Sequence, residues 1–133
     1  MSKALLLACV LLAGCSSSPY RTAPRYAEPE TRQLAARELV RAVAFGGVGT
    51  SEVHGNERVL QWHERRPLAG APAALLAREL DLTALRAVTK AARHGENWEV
   101  KVDAPGGAVT FVFKNGQSAS AAEACFKRLM RPD

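Results

Sequence analysis

The chain reads as an α+β fold: an N-terminal helix, an antiparallel sheet, and a C-terminal helix packed across that sheet. Three patterns predict it. Trp98, Val100 and Val102 alternate with Asn97, Glu99, Lys101 and Asp103, and a second run sets Val109, Phe111 and Phe113 on one side. Period-two alternation is how a half-buried strand sorts its side chains. Ala122, Cys125, Phe126 and Leu129 repeat at helical spacing straight afterwards, and Leu34, Ala35, Leu39, Ala42 and Val43 do so earlier. A hairpin followed at once by an amphipathic helix lays that helix over the hairpin's apolar face.

Taken in order, the first element is not part of this fold. Lys3 is followed by ten apolar or small residues, Ala4 to Ala13. A membrane-spanning helix needs roughly 20, whereas a basic start, a short apolar stretch and small residues are the layout of a secretory signal peptide. Leu12-Ala13-Gly14-Cys15 resembles the lipobox of bacterial lipoproteins at all four positions. The resemblance implies a diacylglycerol on the Cys15 thiol, cleavage between Gly14 and Cys15, and acylation of the new amine. Each buried methylene contributes about 0.8 kcal/mol, so two or three chains on one residue hold firmly where one holds marginally. Ser16 stands where an inner-membrane retention signal places Asp, which by the same analogy favours the outer membrane, facing the periplasm.

The expected organisation is therefore a signal peptide over 1–14, a lipidated tether over 15–28 and one small domain over 29–133. Residues 16–28, "SSSPYRTAPRYAE", carry Ser, Pro and Arg with little apolar periodicity, as a tether does. Loss of 14 of the 133 residues leaves 119, and loss of Lys3 leaves 17 basic against 13 acidic residues, a net +4. Export excludes nucleic acid as the partner of this basic surface. It leaves the membrane itself, reached through the lipid on Cys15, and an envelope protein or acidic envelope polymer. Thirteen of the 18 basic residues are Arg, without a basic run, and read as a solvated surface.

Pro29 opens a helix over about 30–44, ended by Gly46-Gly47. His54-Gly55-Asn56-Glu57 suits a hairpin turn, followed by a strand with Leu60 and Trp62 on one face and Gln61 and His63 on the other. "RPLAGAPA" breaks that strand, and "LLARELDL" over 75–82 is strand or short helix. Residues 82–94 leave two alternatives. Asp81 as cap, strong helix formers and Gly95 as stop give a third helix and a smaller sheet. The echo of "VHGNERVLQW" in "RHGENWEVKV" gives another hairpin, with Leu85, Ala87, Thr89 and Ala91 inward. Pro105-Gly106 fits a type II turn between the last two strands. Ser120 with Glu123 forms a capping box for the last helix, and Pro132 stops it.

From about 48 to 131, "LDLTALRAV…WEVKV…GGAVTFVF…AEACFKRLM" resembles the second half of bacterial pleckstrin-homology-like domains: a hydrophobic strand, a polar break, two alternating strands and a capping helix. The resemblance implies a roll-like sheet. It carries no binding residues across, and the leading helix and the Ala-rich "PLAGAPAALLA" depart from it. Fold alone does not name a function.

The sequence offers no catalytic constellation, and none of its residues is assigned a catalytic or metal-binding role. "GGVGTS" lacks the Lys of a phosphate loop, and Glu52 stands where a dinucleotide fingerprint needs its third Gly, so the stretch reads as a flexible connection. A hairpin turn at Gly55-Asn56 puts His63 opposite Val48, about 20 Å along the strand from His54, too far to share an ion; His94 lies at another turn. There is no G-x-S-x-G. With Cys9 removed and Cys15 a thioether, Cys125 is left alone, a core residue without the activating neighbour a nucleophilic thiol needs. Trp62 and Trp98 share faces with Leu60, Val100 and Val102, which favours packing over stacking on sugars. These observations point to a non-enzymatic binding or assembly lipoprotein needing no cofactor, against a small cell-wall hydrolase or inhibitor and a purely structural lipoprotein.

Overall fold

The computed structural model describes residues 26–133. The signal peptide over 1–14, the lipidated Cys15 and all but the end of the tether lie outside the described residues. The element order is α1 (Arg32–Gly46), β1 (Thr50–Gly55), β2 (Val59–Leu68), β3 (Ala71–Asp81), β4 (Ala87–Val88), β5 (Ala92–His94), β6 (Asn97–Ala104), β7 (Gly107–Phe113) and α2 (Gly116–Leu129). This is the α+β arrangement expected, with helices at both ends and antiparallel sheets between them.

β1, β2 and β3 form an antiparallel meander. In the second sheet β7 lines one side of β6, while β4 and β5 lie end to end along the other. The segment Gly46–Gly49 ties the two sheets together. Val48 N–H donates to Val112 O at 2.8 Å and Lys114 N–H to Gly46 O at 2.9 Å, while Gly49 O accepts Arg65 N–H at 2.8 Å. "GGVGTS" is thus a bonded junction, not a flexible connection. Small residues are needed there, because a Cβ on Gly47 would sit 2.2 Å from Thr50 Oγ1.

Both helices pack against each other and against β7, with α1 also on β1 and α2 on β6. Leu39 and Val43 of α1, Val100 and Val102 of β6, Phe113 of β7 and Phe126 and Leu129 of α2 are all fully buried. Phe111 links the layers: its ring lies 5.0 Å from that of Trp62 on β2 and 5.2 Å from that of Phe126 on α2. Tilted aromatic pairs at such spacing add about 0.5–1.5 kcal/mol each beyond the area they bury.

Several local expectations are corrected. α1 begins two residues later than predicted, at a Thr31 cap whose Oγ1 accepts Leu34 N–H at 3.1 Å, and Leu34 itself is exposed. The first hairpin turns over Asn56, Glu57 and Arg58, because Asn56 Oδ1 accepts both Arg58 N–H (2.8 Å) and Val59 N–H (3.1 Å). "RPLAGAPA" does not break a strand. It is the tip of the β2–β3 hairpin, with Gly70 at φ +73° in the turn, a conformation glycine adopts without steric cost. The long apolar run that follows is β3.

Residues 82–94 form short strands, not a helix, but the inward set is Leu85, Val88 and Ala91. The spacing of three arises because the strand is interrupted: Thr89 Oγ1 takes Lys101 N–H at 2.9 Å, and the ladder shifts by one residue before Ala92. In the β6–β7 turn the positive φ falls on Gly107 (+120°), not Gly106, so the turn is not type II. α2 starts at an Asn115 cap, whose Oδ1 accepts Ser118 N–H at 2.8 Å. Ser120 is inside the helix and buried, and Glu123 reaches Ala91 N–H instead of closing a capping box.

Candidate interaction surface

The meander's outer face carries His54 and His63. Ser51 pairs with His63 and His54 with Gln61, with a bulge between them at Glu52, whose φ is +49°. Directly opposed residues share a face, as do residues two apart on one strand. His54 and His63 are therefore diagonal neighbours, about 7–8 Å apart by sheet geometry. The predicted separation of about 20 Å fails because the turn is centred on Glu57-Arg58, two residues beyond Gly55-Asn56, which sets His54 opposite Gln61. Glu52, Gln61, Ala77 and Glu79 share the shallow depression of about 430 Å³ around them. His54 Nε2 lies 3.9 Å from Glu52. Among the described residues no group of three or more His, Cys, Asp or Glu side chains is placed to hold a metal ion; His94 pairs with Glu99 on the other sheet.

Cys125 is buried on α2. Burial, with the Glu38 carboxylate adding to it, pushes its thiol up to about 12. A thiol so placed carries almost no thiolate at neutral pH, which removes it as a nucleophile. Trp62 is buried too, with the Arg78 guanidinium 6.0 Å from its ring, so it is not a sugar platform. Trp98 is half-buried and covers Gly116, where a Cβ would lie 3.0 Å from the indole. Both tryptophans serve packing. Every buried side-chain nitrogen or oxygen among the described residues has a hydrogen-bond partner.

A concavity of about 640 Å³ runs between α1 and the β1–β2 loop, lined by Gln33, Ala36, Arg37, Val40 and Gly55 to Arg58. That volume lies within the range of small-molecule and peptide-anchor pockets. Gly55 lets the hairpin approach the helix, since a Cβ there would stand 3.1 Å from Val40 Cγ2. The floor is apolar, from Ala36 and Val40. The walls supply amides from Gln33 and Asn56 and guanidiniums from Arg37 and Arg58, neither of which forms an ion pair among the described residues. Glu57 is the one acid on the rim. The arrangement suits an anionic group joined to an apolar body, which Arg binds through its planar fork of donors.

The groove is held by a clamp that the sequence did not disclose. Arg32 donates to the carbonyls of Glu57 (2.9 Å), Arg131 (3.2 Å) and Leu129. Arg128, buried, donates to Glu30 O at 3.2 Å and pairs with Asp133. These two arginines are structural, not the solvated surface expected of them. They bring the start of the domain, its C-terminus and the β1–β2 loop to one end. Comparison with protein-family models, with curated proteins and with solved structures finds no match to this chain.

Proposed function

We propose that this chain is a lipid-anchored, non-enzymatic binding or assembly module of a bacterial envelope, held at the outer membrane and facing the periplasm. The observation that carries the anchoring is Leu12-Ala13-Gly14-Cys15, placed directly after the apolar run Ala4 to Leu11. The binding role is supported by the groove between α1 and the β1–β2 loop, where Arg37 and Arg58 stand over an apolar floor. An acidic group on an envelope protein or polymer complements that surface.

Three measurements test this reading. Mass spectrometry of native material is expected to find Cys15 as an acylated N-terminus carrying a diacylglycerol thioether; an unmodified thiol, or Met1 still in place, overturns the anchor. A photo-crosslinker at Gln33 in living cells is expected to capture one stoichiometric envelope component, with capture lost in Arg37→Gln/Arg58→Gln. Cleavage of peptidoglycan by the purified protein would instead make it a hydrolase.

A further inference from the structure

β3 lies at the edge of its sheet, with β2 along one side only. From Ala71 to Ala77 it carries no charge, and Leu75 is 59% and Leu76 37% exposed. Edge strands are normally blunted by charge, because their unpaired N–H and C=O groups template the addition of another strand. We propose that β3 pairs antiparallel with β3 of a second copy of this chain, about a two-fold axis at Leu76, joining two meanders into one six-stranded sheet.

The register follows from the hydrogen bonding. Leu82 N–H donates to Arg58 O at 2.8 Å, and ladder bonds in an antiparallel pair fall on every second residue. The even-numbered residues of β3 therefore face β2, and the N–H and C=O groups of Leu75, Ala77 and Glu79 face the free edge. An axis at Leu76 sets Leu75 opposite Ala77 of the second copy, so that each exchanges two hydrogen bonds. On the other face Leu76 meets Leu76. Displacement by two residues toward the C-terminus would set Leu75 against Glu79 and Leu76 against Arg78. Displacement the other way would run the pairing into the irregularity beside Pro72, where the β2–β3 ladder shifts.

The surroundings fit a second copy in particular. The C-terminal half of β3, Arg78 to Asp81, faces the β6–β7 turn across a gap of about 430 Å³ walled by Ala104, Gly106, Gly107 and Ala108. In this register the strand segment that enters the gap is Ala71-Pro72-Ala73 of the second copy, which is small and uncharged. No like charges oppose each other anywhere along the seam. A one-strand seam buries less than the roughly 800 Å² per partner of a standard interface, so the dimer dissociates on dilution. The pairing does not depend on acylation of Cys15.

Disulfide trapping tests it in the full chain with Cys9 and Cys15 replaced by Ser. Leu76→Cys is expected to form a covalent dimer under mild oxidation, since directly opposed residues bring their Cα atoms within disulfide range. An equal mixture of Leu75→Cys and Ala77→Cys should cross-link more than either alone, and Thr110→Cys, exposed on the other sheet, should not cross-link. In sedimentation, Ala77→Pro removes a free-edge N–H without touching the β2 ladder and should weaken the dimer at least tenfold, with far-ultraviolet dichroism unchanged. Leu76→Cys that stays monomeric, trapping at Thr110 equal to that at Leu76, or a well-folded Ala77→Pro variant with undiminished association would each overturn the proposal.

Discussion

Glu123 Oε1 accepts the main-chain N–H of Ala91 at 2.6 Å, while Oε2 of the same carboxylate holds Lys127 at 2.7 Å. Ala91 sits in the interruption between β4 and β5, where the ladder to β6 is broken, and is buried. A helix side chain thus supplies the acceptor that the sheet withholds. A buried N–H without a partner costs about 1–3 kcal/mol. Glu123→Ala should lower the unfolding free energy by that order, measured in urea. Glu123→Gln keeps an acceptor and loses only a half-exposed ion pair, which is worth under about 1 kcal/mol. Equal losses in the two variants would count against this role.

Gly46 of α1 packs its backbone directly against Ser118 of α2. A Cβ there would meet Ser118 Oγ at 2.2 Å and Ser118 Cβ at 2.3 Å. Gly46→Ala should therefore destabilise by about 1–3 kcal/mol, as overpacking does, although alanine is the better helix former. Ser118→Gly removes both obstructing atoms, so the double variant should be more stable than the sum of the single losses. Strict additivity in denaturant melts would show that the helices move apart freely.

Cys125 links burial to alkaline stability. Its folded-state pKa is raised above the ordinary thiol value of 9.0 to about 12. Below pH 9 the thiol is neutral in both states and stability is unaffected. Between 9 and 12 only the unfolded chain releases the proton, so stability falls with rising pH, by about 1.4 kcal/mol per unit at most. Cys125→Ala should be less stable at neutral pH but should lose less between pH 9 and 11 than the parent. Thiol reagents should label Cys125 only on unfolding; rapid labelling of the native protein would contradict its placement.

The elements that were legible in the sequence are those whose partners lie close along the chain. The β6–β7 hairpin and the stripe Ala122, Cys125, Phe126 and Leu129 appear where periodicity put them. Local turn chemistry was harder to read. Gly55-Asn56 satisfies a two-residue turn on paper, but Asn56 N–H donates to Val59 O and its Oδ1 caps two successive amides, which moves the turn two residues along to Glu57-Arg58. That single residue moved the register, and with it the relation of His54 to His63. The tip Ala69-Gly70 was obscured by the two prolines flanking it, although the strands on either side tolerate them near a hairpin end. The groove offered no signal at all, since Arg37 and Arg58 are 21 residues apart and lack any motif.

What the residues alone determined is the compartmental expectation carried by Leu12-Ala13-Gly14-Cys15 and the identity of the strongly periodic elements, because alternation and helical spacing record which face of a segment meets the core. Tertiary structure decided which arginines are spent internally, which strand edge is left unpaired, and which polar groups converge. Those outcomes depend on contacts across long sequence separations, such as Arg32 with Leu129 and Ala91 with Glu123. Such contacts form only once burial of the core has fixed how the elements sit, and no local pattern encodes them.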